Sequence, residues 1–378
     1  GGSGIRSNGT LTIKGGEIQQ ATGGASEKYG GSGIYSKGQL FISGSADITN
    51  AKGGDGKTSG GDGIRSDKEL TISGGKIEQA TGGDSTDGTG GYGIHSGSML
   101  TISDSAAITN ATGGSGKSGG HGLFGTAMKI ISSTIGTAKG GEGTTSGGNG
   151  IYGVGKLTIS DGAVITNATG GNATLTDGTG GSGIYSDGKL TIENSTITNA
   201  TGGDADNGTG GDGIHGDGNS DKLYIYKVNI TNATGGNGKR GGSGLFGKIL
   251  EIISSDIRAI GGRSTGEGDY TGGAGIVGSE SLTIEGNTTV QATGGDADSG
   301  TGGSGIFSDR SLSISGGAIN ATGGSGKSGG AGIASSGTVS ISNGKIEQAT
   351  GGRATGEDGT GGSGIRSNGT LTIKGGEI

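Results

Sequence analysis

The chain contains no Cys, no Pro and no Trp, and aromatic residues make up 3% of its 378 residues. Without Cys there is no disulfide framework and no thiolate site for zinc or an iron–sulfur cluster. Without Pro, and without Gly at every third position, there is no collagen triple helix. No run of eighteen apolar residues occurs, so no segment reads as a membrane-spanning helix. Apolar residues total 26%, too few for one conventional core of this length. What is abundant is Gly, with 102 residues. Without a period, that much Gly would describe a disordered chain.

A period is present. The motif Gly-Gly-x-Gly-Ile (or Leu) begins at residues 1, 30, 60, 90, 119, 147, 180, 210, 241, 272, 302, 329 and 361. These starts define twelve units averaging thirty residues across 1–378, with no domain boundary or linker. Aligned units give columns. The first runs Ile5, Ile34, Ile64 and Ile94 to Ile365, and the second Leu11, Leu40 and Leu70 to Leu371. The third is Ile throughout, from Ile13 to Ile373; the fourth is Ile or Val, from Ile18 to Ile378; the fifth, from Ala21, is almost all Ala. The Leu-x-Ile alternation has period two, which specifies strand, and no stretch shows helical periodicity.

These features predict an all-β fold, a parallel β-solenoid (β-helix) of about twelve coils of ~30 residues, with three short strands per coil. One coil cannot bury its own apolar face, whereas a stack can. At about 4.8 Å per coil the rod would be roughly 58 Å long. Gly-Gly pairs are expected at corners where successive backbones approach closely. The Ser or Gly two residues after each first-column Ile fits a small inward or corner position. The Asn or Gln before the Ala column, as in Gln20, Asn50, Asn110 and Asn199, is expected to form an amide ladder between coils. Segments of variable length, such as SGKS at 115–118 and RSTGEGDYT at 263–271, read as loops on one face.

Residues 1–18 and 361–378 are identical. The expectation is continuation, either as a tandem array of 360-residue super-repeats or end to end in a fibre. The core pattern GG(S/D)GI-x-S-x-G-x-LTISGG-x-I-x-ATGG resembles the Gly/Thr-rich repeats of large bacterial surface proteins with β-helix or adhesin-like character. The GGEI, GGKI and GGAI pieces at 15–18, 74–77 and 316–319 resemble repeats of chlamydial polymorphic outer-membrane proteins, without their regular Phe-x-x-Asn partner. The resemblance implies an extracellular or cell-surface location, an adhesive or structural role and no catalytic residue.

The most distinctive outward position follows the first-column Ile. It reads Arg6, Tyr35, Arg65, His95, Phe124, Tyr152, Tyr185, His215, Phe246, Val277, Phe307, Ala334 and Arg366. Eleven of these thirteen are aromatic, His or Arg, and six of the twelve Phe and Tyr fall here. Such a stripe reads either as an interface, for lateral contact or glycan stacking, or as a ladder stabilising the sheet by cross-strand pairing. The three histidines, His95, His121 and His215, lie in different coils and read as solvated surface imidazoles, not a zinc site. Acidic residues concentrate in the loops with no recurrent pair on a strand, so no catalytic dyad is expected. No cofactor is expected; calcium is the one ion that Asp-rich loops such as DADNGTGGDG (204–213) could hold. Net charge is −7 with both signs interspersed, which argues against nucleic acid. The reading is a non-enzymatic structural rod of an extracellular filament, sheath or adhesin stalk, self-associating end to end. A carbohydrate-binding adhesin is the alternative, and a polysaccharide-active enzyme the more remote one.

Overall fold

The computed structural model describes residues 1–216 and 222–377. It is a parallel β-solenoid of about twelve turns, without helix among the described residues. No helix long and apolar enough to cross a membrane occurs there. Every inter-strand pairing is parallel, and the register superposes the sequence columns coil upon coil: Ile5 on Ile34, Leu11 on Leu40, Ile13 on Ile42, Ile18 on Ile48 and Ala21 on Ala51. The same superposition continues through Ile333 on Ile365 and Leu371 on Val339. Ile378, the last fourth-column residue, lies outside the described residues.

Alternation places the columns inside. In Leu40-Phe41-Ile42 the outer two side chains are fully buried and Phe41 is half-buried on the opposite face. The buried Ile, Leu and Ala residues form one core along the whole stack. Each residue buries its apolar area against the coils above and below as well as across the interior, so the core is a property of the stack.

The separate strands of the repeat fuse in several coils. Leu40–Lys52 and Leu70–Thr81 run through the second corner, while Ile94–Ser103, Leu123–Ile131, Leu245–Ile253 and Ile276–Glu285 run through the first. Leu123 and Met128 are five residues apart where Ile94 and Leu100 are six; the strand spans the shortened corner with a bulge at Gly125/Ala127. The small column turns inward as expected. Ser36 Oγ donates to the Gly9 carbonyl of the preceding coil at 2.8 Å and is shared with Gln39 O at 2.9 Å. Ser66 and Ser96 repeat this arrangement.

The amide ladder forms in part. Asn199 Nδ2 donates to Asn167 Oδ1 at 3.0 Å and Asn232 Nδ2 to Asn199 Oδ1 at 3.1 Å, with Arg258 continuing it onto Asn232. Gln20 and Gln348 instead turn to Thr22 and Thr350 two residues on, because the longer side chain reaches its own strand.

The variable segments also stack. Gly116–Ser118, Gly143–Ser146, Ala173–Thr179 and Ala205–Thr209 form a separate four-stranded parallel sheet. Isolated bridges such as Ser26 to Gly56 and Thr301 to Ser328 extend this loop ladder in both directions. Length differences are absorbed by register shifts between the fixed ends.

The loop is joined to the coil through a neck in which an outgoing Gly-Gly meets a returning one. Gly24 N–H donates to Gly2 O at 2.7 Å, Gly31 N–H to Gly24 O at 2.9 Å, and Gly54 N–H to Gly31 O at 2.8 Å. The alternation continues without interruption to Gly352 and Gly362. The two walls of the neck thus share one hydrogen-bonded column of glycine peptides. A Cβ on Gly181 would lie 1.9 Å from Gly148 O, and one on Gly148 1.9 Å from Gly120 O. No side chain fits there, which accounts for the invariance of these pairs.

Candidate functional site: an aromatic column beside the neck

The outward stripe is in register over its full length. Arg6 lies on Tyr35, Tyr35 on Arg65, Arg65 on His95 and His95 on Phe124. Phe124 lies on Tyr152, Tyr152 on Tyr185, Tyr185 on His215 and His215 on Phe246. Because strand stacking fixes the spacing, the rings touch. Centroids are 5.1 Å apart for His95–Phe124, 5.4 Å for Phe124–Tyr152, 5.3 Å for Tyr152–Tyr185, 4.6 Å for Tyr185–His215 and 4.5 Å for His215–Phe246. Val277 and Ala334 interrupt the aromatic run and flank Phe307. Arg366 is exposed and donates to Asn368, as Arg6 does to Asn8.

At its N-terminal side the stripe is a charge and ring network. The guanidinium of Arg6 lies 5.5 Å and that of Arg65 6.0 Å from the Tyr35 ring centroid, within cation–π range. Arg65 pairs with Asp67 at 2.8 Å and Asp62 at 3.3 Å. The Tyr35 hydroxyl donates to Asp67 at 2.6 Å; that bond, with partial burial, raises the phenol pKa. Partial burial alone would raise Asp67, but the bonds from Tyr35 and Arg65 outweigh it and hold the carboxyl below its usual range. Tyr152 repeats the arrangement with Asp187 at 2.5 Å, and burial followed by this bond raises its pKa strongly.

A second column flanks the stripe at the x position of Gly-Gly-x-Gly. Its usual residue is Ser, but it carries Asp62, Tyr92, His121, Asn149 and Asp212 in the coils where the stripe is richest. Tyr92 packs on His95, His121 and Phe124 with centroids 4.8–5.2 Å apart. His95 Nδ1 lies 2.8 Å from Asp62 Oδ2, and His215 Nδ1 2.5 Å from Asp212 Oδ2. The histidines are therefore not solvated surface imidazoles. His121 packs against Tyr92, Phe124 and Tyr152, and its Nδ1 accepts the Asn149 N–H at 2.8 Å. Burial, with a smaller contribution from His95, lowers its pKa to about 3. The ring is neutral, with its proton on Nε2. This column was visible in the sequence as departures from Ser three residues before Arg65 and His215.

The carboxylates and amides after the outgoing Gly-Gly cap backbone amides one coil on. Asp55 Oδ1 accepts the Asp84 N–H at 2.9 Å, Asn172 the Asp204 N–H at 2.7 Å and Asp204 the Asn237 N–H at 2.6 Å. Among the described residues no three His, Cys, Asp or Glu side chains converge as a metal site. The chain matches no family model, and no curated protein matches it.

Proposed function

We propose that the chain is a structural rod of an extracellular filament, sheath or adhesin stalk, extended by end-to-end continuation of the solenoid. The observation that carries this reading is the behaviour of one sequence in two places. GGSGIRSNGTLTIKGGEI occurs at 1–18 and at 361–378. At its first occurrence it pairs with the following coil, Ile5 to Ile34 and Leu11 to Leu40. At its second it pairs through the opposite side with the preceding coil, Ile365 to Ile333 and Leu371 to Val339. The same segment thus accepts a coil on either side. Stacking the first occurrence of one copy on the free side of the second occurrence of another would carry the columns from copy to copy, Ile5 on Ile365 and Leu11 on Leu371. Leu371 and Ile373, 44% and 46% exposed, would become buried as their counterparts elsewhere are.

The rest of the architecture suits a mechanical role. Core columns, the loop ladder and the glycine column all run along the axis, so axial load is shared among them. The ring stripe adds to them. His215 and Phe246, 28° apart at 4.5 Å, pack face on face, while His95–Phe124, Phe124–Tyr152 and Tyr152–Tyr185 meet edge on; both kinds of contact tie coil to coil. Electron microscopy of the purified chain over a concentration series tests the proposal. Filaments that lengthen with concentration support it; single rods about 58 Å long at every concentration overturn it.

A further inference from the structure

We infer that the groove between the aromatic column and the loop ladder binds a neutral, extended glycan chain lying along the rod. This inference is independent of filament formation. The groove has a volume of about 590 Å³, within the size range of ligand sites. It repeats one set of positions from coil to coil. One bank is Tyr152, Tyr185, His215 and Phe246, the opposite bank carries the hydroxyls of Ser146, Thr179 and Thr209, and Ser182 and Ser243 lie on the glycine floor. A pyranose has the matching character, an apolar C–H face and a rim of hydroxyls. One coil rise of about 4.8 Å is close to the length of one sugar unit in an extended chain, so successive units meet equivalent surroundings.

The polar groups are already held. Asn149 Oδ1 accepts the Ser182 N–H at 2.6 Å, and Asp212 takes the Ser243 N–H at 2.5 Å through Oδ1 and His215 through Oδ2. Little side-chain freedom remains to be lost on binding. Tyr152 is stacked parallel on none of its ring neighbours. It meets His121, Phe124 and Tyr185 at 63–68°, and its broad side is assigned as the platform for a sugar face.

Two observations select the ligand class. The lining includes Asp187 and Asp212 and no Lys or Arg, which disfavours uronates, nucleic acids and other polyanions. The floor offers no strand edge to a peptide: Gly181 N–H is bound to Gly171 O, and Gly181 O accepts Gly203 N–H. β-Strand addition therefore lacks backbone partners.

Native gel electrophoresis of the full chain, in gels containing hydroxyethylcellulose, glucomannan or dextran, tests this directly, with polygalacturonate as the anionic counterpart. At least one neutral polymer is expected to retard the chain and polygalacturonate to leave it unaffected. Tyr152→Ala and Thr179→Arg are expected to weaken retardation at least fivefold, while Phe307→Ala, in the stripe but outside the groove, preserves it. Should Tyr152→Ala fail to fold, Thr179→Arg, at an exposed position of the bank, decides alone. Absence of retardation by every neutral polymer, retardation that survives Thr179→Arg, or equal retardation by polygalacturonate overturns the inference.

Discussion

Gly31 donates its amide hydrogen to Gly24 across the neck of the same loop at 2.9 Å, and its own carbonyl accepts from Gly54 of the next coil at 2.8 Å. Each neck is closed by a bond within the coil and tied to the next by a bond of the same kind. The column so formed leaves no space for a β-carbon. Gly181→Ala is therefore expected to destabilise the rod by on the order of 4 kcal/mol or more, as buried backbone clashes do. Gly9→Ala, where nothing lies within 4 Å of the added atom, is expected to change stability by less than about 0.5 kcal/mol. Urea unfolding of the two variants makes the comparison.

The corner after the third column is left-handed in coil after coil, and not always at Gly. Ser254 has φ 48° and Asn343 φ 56°, where Gly286 has φ 69°. A non-glycine residue in this region costs about 1 kcal/mol or more. Ser254→Gly is expected to raise the unfolding free energy by roughly 1 kcal/mol, measured by the shift in urea midpoint.

His121 is expected to make the rod acid-sensitive in a defined window. Its pKa is lowered from 6.5 to about 3, so between these values the unfolded chain binds a proton that the folded chain refuses. The stability contributed by the neutral ring is fully present above pH 6.5 and is lost as pH falls towards 3. The slope from this residue is at most about 1.4 kcal/mol per pH unit. His121→Gln, which retains an acceptor for the Asn149 amide, is expected to flatten the profile of thermal midpoint against pH below 6.5. An unchanged slope would assign the acid sensitivity to other groups.

Ring contacts along the stripe give it a measurable share of stability. Phe246 stacks on His215, whereas Phe307 is flanked by Val277 and Ala334. Phe246→Ala is expected to cost about 1 kcal/mol more than Phe307→Ala, the value of an aromatic pair beyond its buried area. Equal costs would show that the rings do not act as a ladder.

The solenoid and its register were legible in the sequence because Ile and Leu recur at fixed positions and stacking has only to superpose them. The stripe was legible for the same reason: it is counted from the first-column Ile. Its chemistry was less so. Whether His121 is solvated depends on Tyr92 and Tyr152 in neighbouring coils, and Asp62 and Asp212 were single departures from a Ser background. The neck was visible only as repeated Gly-Gly. Glycine has no side chain whose pattern reveals a partner, so pairing of the outgoing and returning walls emerges only from the backbone. The loop ladder was hidden by variable length, because only its ends, such as Ser118, Ser146 and Thr179, keep register.

Unequal loops make the twelve coils distinguishable, so in-register continuation carries its own axial signature. Diffraction from aligned filaments is expected to give a meridional spacing of about 4.8 Å together with a longer axial repeat of roughly 62 Å, the rises of twelve full coils and the partial thirteenth. The short spacing without the long one, or its absence altogether, would contradict continuation of one solenoid into the next.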